Sequence, residues 1–407
     1  MSGRRTGGGL WRLGVAGAVA GGLCALGVVL GQSGVVLSVV GLVVMVVVHE
    51  AAHYLMARRS KMAVTDAGLG FGPALFSATR GGVRWRVNLL PLGAYVRIPG
   101  MYRGQKTAVP EEATFRAQSA LQRFCVVVAG GVANVVLAVV LMFAGLLGAP
   151  APAAGVVVAK VDAQVAGLRS PAEAAGIGPG ERIAALDGVA VSSVAQLHRV
   201  EVAMAEGSAA ARHHVEVVVV GASGRRRALG VEAVRHDGAF EIGVLAQPAT
   251  RTTGPFQAAW QAVDRNYQGL FLMGGALGRL FQPSFVAHYV AEVEGRPVPA
   301  SVRLERPVSV VGVVEVGSEA SRLGWRESLR FMALVSMALG VTNLLPVLPL
   351  DGGHALVVVY ERLRSRRGRR HFVSSRTLGA LSAIGASAFL ALAASAIWLD
   401  VFHPVHL

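Results

Sequence analysis

Two histidines and a glutamate interrupt an apolar run at Val46-Val47-Val48-His49-Glu50-Ala51-Ala52-His53-Tyr54. On a helix, His49 and His53 lie one turn apart on the same face, so both imidazoles reach one ion while Glu50 sits beside it. Zinc takes nitrogen, sulfur or oxygen ligands at tetrahedral positions, and a hydrolytic site leaves one position to a water whose pKa falls toward neutrality. A carboxylate at Glu50 can take that water's proton and hand it to a leaving amine. The chemistry on offer is metal-assisted hydrolysis. A helix that merely ended at an interface, with two capping histidines, would need no third ligand.

The elements that must position these residues are apolar. Val35 to Val48 holds no charged residue, and apolar character resumes after His53 at Tyr54-Leu55-Met56-Ala57. Ionisable groups at membrane depth are costly and mark function. A third ligand candidate stands about 300 residues on. Phe331 to Leu350 is also free of charge and then meets Asp351, within Asn343-Leu344-Leu345-Pro346-Val347-Leu348-Pro349-Leu350-Asp351-Gly352-Gly353-His354. Two prolines and two glycines there predict a broken or unwound helix, which a membrane tolerates only where the loosened backbone is buried or lines a cavity. Asp351 then has somewhere to point.

These stretches resemble the site-2 protease family of intramembrane zinc metalloproteases. The resemblance rests on His49-Glu50-Ala51-Ala52-His53, on Asn343 to Asp351 with Gly352, and on two linking stretches. Leu90-Pro91-Leu92-Gly93-Ala94-Tyr95-Val96, after Gly70-Phe71-Gly72, looks like the family's membrane-associated hairpin. Ala129-Gly130-Gly131-Val132-Ala133-Asn134 looks like the start of its second core helix. The resemblance implies that His49, His53 and Asp351 bind zinc, that Glu50 is the general base, and that Asn343 helps to hold the substrate backbone or the developing oxyanion. Gly131 stands where many members have proline, and Pro349 is one place later than in many relatives; neither departure removes a ligand or the base. The implied activity is a zinc-dependent intramembrane endopeptidase that cleaves single-span membrane proteins within or near the transmembrane helix. Regulated proteolysis in a bacterial inner membrane follows, of an anti-sigma factor or a remnant signal peptide.

Composition agrees with a bilayer. Of 407 residues 53% are hydrophobic and 15% charged, beyond ordinary globular usage. The chain reads as a polytopic α-helical membrane protein of about five transmembrane helices, a core of four with a membrane-associated β-hairpin, and one inserted α+β PDZ-like domain. Net charge +15 gathers beside hydrophobic segments, where the positive-inside rule accounts for it. With no basic stripe interleaved with aromatics, nucleic acid is excluded as a partner. Cys24 and Cys125 sit in apolar segments, so neither a disulfide framework nor a thiolate zinc site is available. A metal transporter would show repeated halves and several intramembrane carboxylates, and neither is present.

Flanking charges set the orientation. Arg4 and Arg5 put the N-terminus in the cytoplasm, and Leu10 to Leu30 reads as an uncleaved span, with a cleaved signal peptide as the alternative. Arg58, Arg59 and Lys61 mark the cytoplasmic side close to the metal motif, and Glu361 to Arg370, with six arginines, does the same after Asp351. Both ligand sets therefore run inward and lie near the cytoplasmic side of the inner membrane. Domain boundaries follow: an extra N-terminal segment at 1–33, the first half of the core at 34–148, an extracytoplasmic PDZ-like domain at 149–252, an interfacial amphipathic region at 253–327, and the second half of the core at 328–407. The PDZ-like reading rests on valine-rich strands around Ser170-Pro171-Ala172-Glu173-Ala174-Ala175-Gly176-Ile177 and Pro179 to Gly188. Such a domain either binds an extended tail by strand addition or acts as a size filter for bulky ectodomains. His198, His213, His214 and His236 within it lack ligand spacing.

Overall fold

The computed structural model describes residues 31–102, 104–206, 210–299, 306–365 and 370–402. They divide into two compact units, Leu147–Pro255 and the remainder. The first apolar stretch, Leu10 to Leu30, and the C-terminal His403 and His406 lie outside the described residues.

Within the remainder, uncharged runs form helices because a bilayer leaves each backbone polar group to find its partner inside its own segment. Helices α1 (Ser33–Arg59) and α2 (Ala120–Leu146) each run 27 residues, about 40 Å at 1.5 Å per residue. Between them lies a two-stranded sheet of β1 (Asp66–Arg80) and β2 (Val83–Arg97). Gly81 and Gly82, both at positive φ, turn the chain between the two strands. Asp66 to Leu69 register against Arg84 to Val87 and also against Ala94 to Arg97, so the opening of β1 is flanked on both sides by β2. The buried Asp66 carboxylate accepts from Arg84 Nε at 2.7 Å and ties these pieces together.

The Leu147–Pro255 unit carries strands β3 (Pro150–Val161), β4 (Gln164–Val165), β5 (Leu168–Arg169), β6 (Arg182–Leu186), β7 (Val189–Ala190), β8 (Arg212–Val220), β9 (Arg226–His236), β10 (Ala239–Glu241) and β11 (Val244–Thr252). Helices α3 (Pro171–Ala174) and α4 (Val194–Glu206) accompany them. The main sheet runs β10-β9-β8-β6-β3-β11, with β7 on β6. Val215, Val217 and Val219 alternate into a core with Val156, Ile183, Leu186 and Phe240, the period-two pattern of a half-buried strand.

The chain then forms α5 (Pro255–Arg279) and α6 (Pro283–Val293), which meet at a bend of 76°. Ala258, Ala262 and Asn266 face inward at four-residue spacing, while Phe256, Trp260, Tyr267 and Phe271 are exposed. After α7 (Val310–Arg322) comes α8 (Trp325–Asn343), packed along α2. The apolar run from Phe331 to Tyr360 is two helices, since α8 ends at Asn343 and α9 (Asp351–Arg364) begins only at Asp351. A Cβ on Gly352 would collide with the carbonyl oxygens of Leu344 and Leu345, so glycine alone lets the intervening loop fold over the start of α9. Helix α10 (Ser375–Phe402) closes the described chain. Among the described residues α1, α2 and α10 are long and apolar enough to cross a membrane, and the bent α5–α6 pair makes a fourth if it is one span.

A buried ion pair locks α9 to α2. Arg123 Nη1 donates to Glu361 Oε2 at 2.6 Å, each side chain being 7% exposed. The guanidinium also lies over the rings of Phe115 and Phe372, and Glu361 Oε1 accepts from the Val373 amide at 3.0 Å. Removing one partner strands the other charge in an apolar setting, which costs about 3–5 kcal/mol. Arg123→Met is therefore expected to lower the melting temperature of the detergent-solubilised protein, and Arg123→Met with Glu361→Leu to recover part of the loss.

Glu201 on α4 generates a second prediction. Burial pushes its carboxyl up to about 7, helped by the nearby Glu241 carboxylate, while His198 Nδ1 stands 3.8 Å away. A folded pKa above the unfolded one means that the folded state holds the proton longer. Stability is then greatest below the ordinary glutamate range, falls as pH rises from there to about 7, and stays reduced above it. Glu201→Gln should flatten that decline, seen in the full chain as slower amide exchange in β8 and β9 above neutral pH and no gain at acid pH.

Candidate metal centre

The helix that carries His49 and His53 is apolar on the side away from the bundle, with Val44, Val47 and Leu55 exposed, and turns both imidazoles inward. The break before α9 delivers Asp351 to the same point as the first residue of a helix, where the positive end of the helix dipole meets its carboxylate. His49 Nε2 and His53 Nε2 each stand 3.1 Å from Asp351 Oδ2, and 3.2 Å from one another. The three side chains are only 10%, 12% and 22% exposed. His53 and Asp351 of this triangle are 298 positions apart in sequence.

The triangle fits zinc. Ligand atoms at tetrahedral corners about 2.0–2.2 Å from an ion stand about 3.3–3.6 Å apart, within a few tenths of an ångström of the observed edges. Three protein ligands leave the fourth corner for water, as hydrolysis requires. The site is also cradled: a Cβ on Gly130 of α2 would press on both Nε2 atoms and on His49 Cε1. The outer nitrogen of His53 meets the Val126 carbonyl at 2.7 Å, which places a proton on Nδ1 and leaves the Nε2 lone pair for a metal. The outer nitrogen of His49 faces the Asn134 amide at 3.3 Å.

Glu50 lies next in the chain and opens toward a cavity of about 300 Å³. Val47, Ala51 and Tyr54 line it from α1, with Leu69, Phe76, Trp85, Val87, Tyr95 and Val96 from the hairpin. The Glu50 carboxyl also interacts with the backbone of Val96, so the acid and the sheet share one wall. Asn343 ends α8 and turns its amide back on its own helix, Nδ2 donating to the Leu339 carbonyl at 3.0 Å.

Sequence reasoning passed over the supports of this site. Val126 acts through a backbone carbonyl, which no side-chain motif marks. Gly130 and Asn134 carry no motif of their own, although Val126, Gly130 and Asn134 repeat the four-residue spacing of His49 and His53. Because a methyl at Gly130 intrudes on both Nε2 atoms, Gly130→Ala is expected to purify with well under one zinc per chain by elemental analysis. The α2–α8 packing, which runs through the neighbouring Gly131 on another face of the helix, should be retained, and with it the thermal stability.

Comparison with known proteins agrees with this chemistry. The profile of Peptidase family M50 matches residues 37–390. A Rhizobium meliloti protein bearing a zinc-metalloprotease name is 30% identical over 379 residues, covering 88% of this chain and 94% of that protein. Zinc metalloprotease Rip1 of Mycobacterium tuberculosis is 28% identical over 370 residues, covering 82% and 87%. A Rickettsia conorii protein with a zinc-metalloprotease name is 29% identical over 352 residues, covering 81% and 90%. With a profile match across most of its length and a histidine–aspartate triangle suited to zinc, this chain belongs to peptidase family M50, the site-2 protease family, and is a zinc metalloprotease.

Proposed function

We propose that this membrane metalloprotease cleaves single-span membrane proteins within or next to their transmembrane helix, with His49, His53 and Asp351 as zinc ligands and Glu50 as general base. The observation that carries the reading is the triangle of ligand atoms beside Glu50 and an apolar cavity, set among helices long enough to span a bilayer. Zinc, when bound, supplies a Lewis acid for the scissile carbonyl and for a water. Glu50 takes a proton from the attacking water as the new C–O bond forms, then returns it to the amine nitrogen as the C–N bond breaks. The apolar cavity excludes bulk water and receives substrate side chains. Asn343, once released from Leu339, binds the substrate backbone or the developing oxyanion.

The remaining features support a topology. Arginines flanking α1 and following α9 favour a multi-pass inner-membrane protein with its active site near the cytoplasmic side. The core is read as four spanning helices, formed by residues 34–148 and 328–407, with an extra N-terminal span at 1–33 and an interfacial region at 253–327. The Leu147–Pro255 unit, with α4 and the edge strand β11 of its sheet, is read as one extracytoplasmic PDZ domain that either captures a tail or excludes large ectodomains. Clients with small external parts, an anti-sigma factor after trimming or a remnant signal peptide, suit such a filter.

Metal analysis and cleavage of a model transmembrane substrate test the site together. Wild type is expected to hold about one zinc per chain and Asp351→Ala to lose it. Glu50→Gln should retain the metal while cleavage falls by about 10²–10⁴-fold, the usual contribution of a general base. Full cleavage by Glu50→Gln removes that residue from the mechanism, and stoichiometric zinc in Asp351→Ala removes the third ligand.

A further inference from the structure

Asn134 is fully buried on the face of α2 that meets the two histidines. Its backbone carbonyl accepts from Ser336 Oγ at 2.8 Å, which fixes the residue against α8. Its side chain presents Nδ2 to His49 Nδ1 at 3.3 Å, while Oδ1 is buried with no hydrogen-bond partner among the described residues. That pairing conflicts with metal binding at Nε2. A neutral imidazole that gives its Nε2 lone pair to a metal carries its proton on Nδ1, so an amide N–H₂ there would set donor against donor. Oxygen and nitrogen of an amide are distinguished by their partners. Turning the amide by half a rotation brings the orphaned oxygen onto Nδ1–H and answers both problems at once.

We infer that Asn134 presents Oδ1 to His49 Nδ1–H and is the positioning residue that fixes the tautomer and aim of the first zinc histidine. His53 receives the same service from the Val126 carbonyl at 2.7 Å. One helix thus orients both imidazoles: Val126 serves His53, Asn134 serves His49, and Gly130, four residues from each, leaves room for the ion between them. Val126 works through its backbone and is insensitive to substitution, whereas Asn134 works through its side chain and is open to test. The inference rests on the zinc site proposed above.

The test uses full-length protein in detergent, with zinc affinity read by chelator competition and ligand geometry by the visible spectrum of the cobalt(II) form. Asn134→Asp keeps an acceptor toward Nδ1–H and should bind zinc within a few-fold of wild type with an unchanged cobalt spectrum. Asn134→Leu keeps the volume without the acceptor and should lose about 10–100-fold in zinc affinity, the usual effect of deleting such a support, with an altered spectrum and an unchanged melting temperature in the zinc-free state. Wild-type affinity in Asn134→Leu overturns the inference. So does a loss of about 10–100-fold in Asn134→Asp, since it would mean that the amide donates; this arm stands even if the leucine variant does not fold. Zinc in wild type that is lost in Asp351→Ala but kept in Asn134→Leu defeats this inference alone. No zinc in wild type defeats the metal site and the inference with it.

Discussion

Three candidate metal ligands within 3.2 Å of one another inside an apolar bundle impose the requirement that shapes the rest of the chain. Polar groups taken out of water must each find a partner or they destabilise the fold by kilocalories. Here the partners come from close backbone approach. His53 lies on the Val126 carbonyl and His49 on the Asn134 side chain, while Asp351 is the opening residue of α9. Bulky side chains at these crossings would hold the elements apart. Gly130 removes the obstruction between α1 and α2, and Gly352 removes it between α9 and the loop before it. The candidate metal site is thus first of all a packing solution.

Helix α2 carries most of that solution on one stripe. Arg123, Val126, Gly130 and Asn134 are all buried and succeed one another at three- and four-residue intervals, the spacing of a single helix face. Arg123 binds Glu361 on α9, Val126 and Asn134 contact the two histidines of α1, and Ser336 of α8 returns to the Asn134 carbonyl. A helix whose sequence reads as nearly featureless valine and alanine therefore sets the distance between motifs that lie 298 residues apart. Arg123 and Glu361 are costly as buried charges and contribute little net stability against an apolar pair. Their direction and short reach nevertheless hold α9 at one height along α2, and with it Asp351.

How much of this could be read in advance depended on where chemistry left a mark on side chains. His49, Glu50 and His53 interrupt an uncharged run, and Asp351 ends another, so their types and positions stood out against the apolar background. The break at Asn343 to Asp351 was legible because proline removes a donor and glycine admits close approach. The hairpin was legible only in its second strand, since β1 alternates weakly and is punctuated by Gly68, Gly70 and Gly72. The mixed character of α5 was visible, but its bend against α6 was not, because a tertiary angle has no local signal. Val126, Gly130 and Asn134 stayed silent for a related reason: a backbone carbonyl, an absent side chain and a single amide acquire meaning only when another helix lies against them. The first apolar stretch, Leu10 to Leu30, falls outside the described residues.

A transmembrane substrate presents the same accounting in reverse. Its scissile carbonyl is bonded within its own helix and wrapped by side chains, so hydrolysis requires a few residues to unwind. Freed backbone groups at membrane depth then need partners, and the cavity beside Glu50 is walled almost wholly by apolar side chains. Backbone is one such source, and the hairpin would offer it on the wall where Glu50 meets Val96. A strand added there would gain the hydrogen bonds it lost on leaving its helix, while Leu69, Trp85 and Val87 receive its side chains. A segment that unwinds easily would then meet a lower cost at this wall than a uniformly helical one.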